Sequence, residues 1–165
     1  MAEALKLTQG NSKEETYQEI LPQIESLLSN ESDLVANLAN VCAVVNQAFQ
    51  HLWTGFYLRQ DNELVLGPFQ GPLACTRIPL TPVAKGVCGA AAERKETLVV
   101  PDVEKFPGHI ACSSLSQSEI VVPYQKDGYV FFVLDIDSKH LESFDDVDAQ
   151  YLERLVEIIG EKHFS

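Results

Sequence analysis

A chain of 165 residues and 18.3 kDa has room for one hydrophobic core, and 45% hydrophobic with 22% charged residues excludes the disordered, collagen-like and disulfide-scaffold classes. Twelve basic against 24 acidic residues leave a formal charge of −12, so phosphate-rich partners are repelled and neither nucleic acid nor an anionic membrane is expected. No apolar run reaches the roughly 20 residues that cross a bilayer, and the opening of the chain lacks a basic stretch followed by an apolar block, so a cytoplasmic location is expected.

Residues 1–12 have weak apolar patterning and read as a mobile N-terminal segment, with 13–165 forming a single domain. From Glu14 onward Tyr17, Ile20, Leu21, Ile24, Leu27 and Leu28 recur at helical steps, with Pro22 expected to kink or break the helix. Ser32 or Asp33 caps a second helix whose buried stripe is Leu34, Leu38, Cys42, Val45 and Phe49. Cys42 therefore reads as core packing.

From Leu52 to Ile136 the pattern changes to short β-rich runs: Leu52–Leu58, Glu63–Leu66, Thr97–Val100, Glu119–Pro123 and Tyr129–Ile136. Asp61-Asn62 and Lys126-Asp127-Gly128 supply turn chemistry for two hairpins. Gly86 to Lys95 reads as a short helix, and a final helix starts near Asp145 or Asp146 and buries Val147, Tyr151, Leu152, Leu155, Val156 and Ile159. Helices at both ends around a run of strands indicate an α+β fold with a mostly antiparallel sheet. The chain contains no G-x-G-x-x-G, P-loop or G-x-S-x-G motif, which disfavours a doubly wound nucleotide fold.

Cys75, Cys88 and Cys112 fall in the loop-rich middle, where chemistry usually sits. Cys88 lies at the start of the short helix, where peptide dipoles favour a thiolate and lower its pKa. A zinc site built from Cys75, Cys88, His109 and Cys112 lacks the close C-x-x-C spacing of structural zinc, so no metal is expected and His109 reads as a hydrogen-bonding loop residue. Asp135 and Asp137, two apart, point to one sheet face, and a nearby Glu119 would raise at least one pKa by like-charge repulsion. Such a cluster holds a proton or binds an ammonium group; its plainer reading is a set of solvated strand ends. Trp53 and Tyr57 share a face, either as core packing or as an aromatic wall beside a small-molecule pocket.

Several segments carry a resemblance: W-T-G-F-Y from Trp53 to Tyr57, L-G-P-F-Q-G followed by A-C-T-R-I-P at Cys75, K-G-V-C-G at Cys88, F-P-G-H-I-A-C at Cys112, S-E-I-V-V-P at Glu119 and L-D-I-D-S at Asp137. In this order they resemble the free methionine-(R)-sulfoxide reductases, a GAF-domain family, over about Tyr17 to Ile159. The resemblance implies a GAF-like fold over 13–165, with a six-stranded antiparallel sheet flanked by helices and a site between sheet and loops. It implies an enzyme that converts free L-methionine-(R)-S-oxide to methionine, in which Cys112 attacks the sulfoxide sulfur and Cys75 resolves the product, Cys88 being the family's third cysteine. Glu119, Asp135 and Asp137 would bind the amino group and help protonate the departing oxygen, with Trp53 and Tyr57 around the S-methyl end. No cofactor is implied; thioredoxin would be the reductant, and the enzyme a homodimer. Two departures from the family pattern are a longer connection between Cys75 and Cys88 and the Phe131-Phe132 pair. The alternative is a non-catalytic GAF sensor for an amino acid or nucleotide, which the fold also supports.

Overall fold

A computed structural model describes residues 4–110 and 112–165. Two helices, α1 (Lys13–Ser29) and α2 (Leu34–Phe49), precede strands β1 (Trp53–Gln60), β2 (Glu63–Gln70) and β3 (Arg77–Pro79). Helix α3 (Gly86–Arg94), strand β4 (Leu98–Val100), a 3₁₀ turn at Val103–Lys105, strands β5 (Ser118–Lys126) and β6 (Tyr129–Ser138) and helix α4 (Asp146–Phe164) complete the order. The strands form one six-stranded sheet in the order β3-β2-β1-β6-β5-β4 with every pair antiparallel, as an α+β fold requires.

The helices begin where capping chemistry places them. Ser12 and Glu15 form a capping box on α1, Asp33 caps α2 through Ala36 N, and Asp145 with Asp148 forms a second capping box on α4. α1 runs through Pro22 as one element, so the chain does not break there; Ile20 and Ile24, both fully buried, hold the flanking turns on the core. Residues 4–12, expected to be mobile, lie beside α1, where Lys6 N donates to Gln23 Oε1 and Thr8 N to Glu19 Oε2. The sequence pattern missed β3, because only Ile78 of its three residues is buried and Pro79 ends it at once.

Period-two alternation divides the sheet into two faces. Phe56, Ile120, Val122, Phe132, Leu134 and Ile136 face α1, α2 and α4 in the main core. Trp53, Tyr57, Val121 and Val133 face the opposite way, into a second cluster closed by α3 through Val87, Cys88, Ala91 and Ala92. The Phe131-Phe132 pair is accommodated at the end of α4, where both rings pack on Phe164. At the β5–β6 hairpin Asp127 and Gly128 both take positive φ, as a type I′ turn demands.

Gly55 fixes the aromatic side of the second face. A Cβ there would collide with the Trp53 ring and with Cβ of Phe69, two groups that stack at 5.3 Å between centroids. Gly55→Ala is therefore expected to overpack the sheet, lowering unfolding free energy by about 1–3 kcal/mol in a urea titration and altering Trp53 fluorescence.

Candidate active site

The second face of the sheet carries a row of groups that the register brings side by side. On β6, Asp137 pairs with Trp53 of β1 on one side and Glu119 of β5 on the other; Asp135 pairs with Gly55 and Val121. Three carboxyl groups thus share a patch bounded by aromatic rings, with Trp53 and Tyr57 stacked at 5.8 Å between centroids. Above them lie Cys88 on the first turn of α3 and the loop containing His109, Cys112 and Ser116. Trp53, Tyr57, Cys88, Cys112, Glu119, Asp135 and Asp137 all line one pocket of about 570 Å³ including its open mouth.

Cys75 enters the site through Cys112: the two form a disulfide, with Cα atoms 5.6 Å apart across 37 residues of sequence. Cys112 is exposed and Cys75 half-buried, so the bond sits at the pocket rim. The Tyr57 hydroxyl donates to Cys75 O at 2.8 Å and ties the Cys75 loop to the sheet. The longer connection to Cys88 contains the cis peptide before Pro82 and leaves Val83 exposed, while Ala84 packs against Gly89 of α3.

Burial dominates the electrostatics. Glu119 and Asp137 are pushed well above the ordinary carboxyl range, first by desolvation and then by neighbouring carboxylates; Ser116 Oγ, donating to Asp137 Oδ1 at 2.8 Å, opposes the rise at Asp137. Asp135 is also raised by burial, but hydrogen bonds from Glu119 and Cys88 oppose that rise. Glu119 and Cys88 thus stand beside Asp135 as its hydrogen-bonding neighbours. Asp135 Oδ1 and Trp53 Nε1 remain buried with no hydrogen-bond partner among the described residues.

Cys88 corrects one expectation. The start of α3 was expected to favour a thiolate, yet Cys88 is buried and its thiol is raised well above the ordinary range by desolvation and then by the charges of Asp135, Glu119 and Asp137. Burial among acids outweighs the helix terminus. Cys42, read as core, is buried on the helical side of the sheet and its thiol is pushed up to about 12 by desolvation.

Two lining residues carried no signal of such a role in the sequence. Ser116 sits in a serine-rich loop without periodicity and reaches Asp137 only because that loop crosses the strand ends. His109, read as a loop residue, brings Nε2 to 3.9 Å from Glu119 Oε2, and burial lowers its pKa.

A sheet with its main helices on one face and a ligand-sized pocket under loops on the other is the architecture of the GAF domain, whose sequence pattern matches residues 24–161. The chain is 56% identical over 160 residues to GAF domain-containing protein A of Dictyostelium discoideum, covering 96% of this chain and 99% of the relative. It is 42% identical over 168 residues to the free methionine-R-sulfoxide reductase of Saccharomyces cerevisiae, covering 96% and 92%. Its fold matches the X-ray structure of the free methionine-R-sulfoxide reductase from Neisseria meningitidis in complex with its substrate, with a TM-score of 0.91 and 53% identity over 96% of this chain and 94% of that one. The chain belongs to the free methionine-R-sulfoxide reductase family of GAF-domain proteins.

The raised carboxyl groups make stability depend on pH with a definite sign. An acid whose pKa is higher in the folded than in the unfolded chain binds more protons when folded, so its contribution falls as pH rises from about 4 through the folded value. Glu119→Gln removes one such group. Urea titrations from about pH 5 to pH 8 are expected to show a smaller loss of unfolding free energy for the variant than for the unaltered protein.

Proposed function

We propose that this protein reduces free L-methionine-(R)-S-oxide to methionine, with Cys112 as nucleophile, Cys75 as resolving thiol and the Glu119–Asp135–Asp137 cluster as ammonium ligand and proton source. The observation that carries the reading is the convergence of Cys112, the buried Glu119 and Asp135 and the half-buried Asp137 on one pocket. Displacement at a sulfoxide needs both: a thiolate to attack sulfur and an acid to protonate the oxygen as it leaves. Glu119 and Asp137, whose pKa burial pushes well upward, suit the second task, and Asp135, whose rise hydrogen bonds oppose, suits a substrate ammonium.

The Cys112 thiolate attacks the sulfoxide sulfur, the oxygen takes up a proton, and methionine leaves as Cys112 becomes a sulfenic acid. The Cys75 thiol condenses with that sulfenic acid, releasing water and forming the Cys75–Cys112 disulfide. An external dithiol returns the pair to thiols by two successive exchanges and is itself oxidised to a disulfide. Exposure of Cys112 supports attack by a protein dithiol of the thioredoxin kind. Free substrate is favoured because a backbone amide has no ammonium to pair with Asp135. Trp53 and Tyr57 wall the apolar end, and no cofactor takes part. The resemblance to the family extends the proposal to a homodimer acting in the cytoplasm.

Cys112→Ser is expected to abolish turnover with thioredoxin, and full activity of that variant overturns the assignment. Glu119→Gln is expected to lower kcat/KM about 100-fold, the usual scale for a missing general acid. The loss should appear in kcat as well as in KM; unchanged kinetics would put Glu119 outside the reaction. Counting thiols after incubation with methionine sulfoxide separates the reductase from a binding module, since only the reductase consumes two thiols for each methionine formed.

A further inference from the structure

The pocket floor holds a set of groups whose combined chemistry exceeds what sulfoxide reduction uses. Cys88 Sγ and one carboxylate oxygen each from Glu119 and Asp135 lie within 4.8 Å of one another. They come from α3, β5 and β6, so packed secondary structure holds all three. Asp135 lines the pocket, and its buried Oδ1 has no hydrogen-bond partner among the described residues. A buried carboxyl oxygen left without a partner inside a pocket calls for a donor or a cation. His109, whose Nε2 lies 3.9 Å from Glu119 Oε2, lines the same pocket from a loop.

We propose that Cys88, Glu119 and Asp135 form a zinc(II) site at the pocket floor, with His109 as fourth ligand, and that the bound ion excludes the sulfoxide substrate. Zinc takes thiolate at about 2.3 Å and imidazole or carboxylate at about 2.0–2.2 Å, so its ligand atoms stand roughly 3.3–3.8 Å apart. A contraction of about 1 Å by side-chain rotation brings the three atoms into that range. One thiolate with one imidazole and two carboxylates is a borderline-soft set that selects zinc over magnesium or calcium. Binding releases the protons that Cys88 and Glu119 otherwise keep, and the dication neutralises the charges so formed.

The ligand set differs from one built on the rim cysteines. Cys75 and Cys112 are joined to each other, while Cys88 and Cys42 are the free cysteines, and Cys42 lies in the helical core. Forming the disulfide therefore consumes none of the zinc ligands. The existence of the zinc site is independent of the reductase reading; only the exclusion of substrate rests on that reading.

The test uses full-length protein oxidised to the Cys75–Cys112 disulfide and washed with chelator. Zinc titrated in competition with a chromophoric chelator is expected to bind at one ion per chain. Cobalt(II) in its place is expected to give a sulfur-to-metal charge-transfer band. Cys88→Ala and the near-isosteric Asp135→Asn are each expected to weaken zinc at least 10-fold, on the scale of about 10–100-fold seen for supporting groups alone, and Cys88→Ala to abolish the band. Absence of the band in the unaltered oxidised protein, or zinc affinity unchanged in both variants, overturns the site. In a second arm, methionine sulfoxide added to the oxidised protein is expected to raise the apparent Kd for zinc. An unchanged Kd overturns the exclusion alone, and a reductase assay on zinc-free protein reports separately on the activity.

Discussion

Gathering two buried carboxyl groups, a half-buried third and a buried thiol against one sheet face is costly, and much of the molecule makes sense as the means of holding them there. Each carboxylate removed from water loses hydration, and each neighbour of like charge adds to the loss. The cluster lowers its cost by keeping protons, with Glu119 and Cys88 directed at Asp135 and Ser116 at Asp137. A site made this way holds acid hydrogens at a pH where free carboxyl groups have none. That property belongs to the group of residues and to no single one of them.

The fold makes the arrangement tolerable by dividing labour between the faces of one sheet. Ile136 and Leu134 anchor β6 in the helical core while Asp135 and Asp137, alternating with them, face the pocket. Hydrophobic burial on one side thus holds strained electrostatics on the other. Asp148 contributes a second fixed point: buried, it accepts from the Tyr17 hydroxyl and from Lys13 Nζ, each at 2.6 Å, and joins α1 to α4 over that core. Here the buried acid has a cation and a hydroxyl as partners, whereas the pocket acids have chiefly each other. The contrast separates a carboxylate that secures structure from carboxyl groups free to bind and donate.

Much of this was legible in the sequence, for identifiable reasons. Helical steps from Tyr17 to Leu28, the Asp33 cap and the Asp127-Gly128 turn are local signals, and the structure follows them. The two-residue step from Asp135 to Asp137 fixed their common face, because strand periodicity allows nothing else. Glu119 opposite Asp137 was not a local property: it depends on β5–β6 register, which the Asp127-Gly128 turn sets together with the one-residue shift between Tyr124 and Gln125. Cys88 was misread for the related reason that a helix start says nothing of what lies against it. The contribution of Ser116 was invisible, since a loop crossing a strand end leaves no period.

The sulfurs show how environment, more than position in sequence, assigns chemistry. Cys42 is packed among aliphatic side chains behind the sheet, with desolvation opposing its ionisation and no acid for it to serve. Cys88 is equally buried but lies against carboxyl groups, so its hydrogen is engaged toward Asp135. Cys75 and Cys112 stand at the rim, where the exposure of Cys112 leaves the oxidised pair within reach of another protein. A sulfur attacked from outside has to be wet, and an acid that keeps its hydrogen near neutrality has to be dry. Reduction of a small sulfoxide needs both within a few ångströms. A sheet face roofed by loops satisfies that demand, since the floor comes from packed strands and the rim from chain that water can reach.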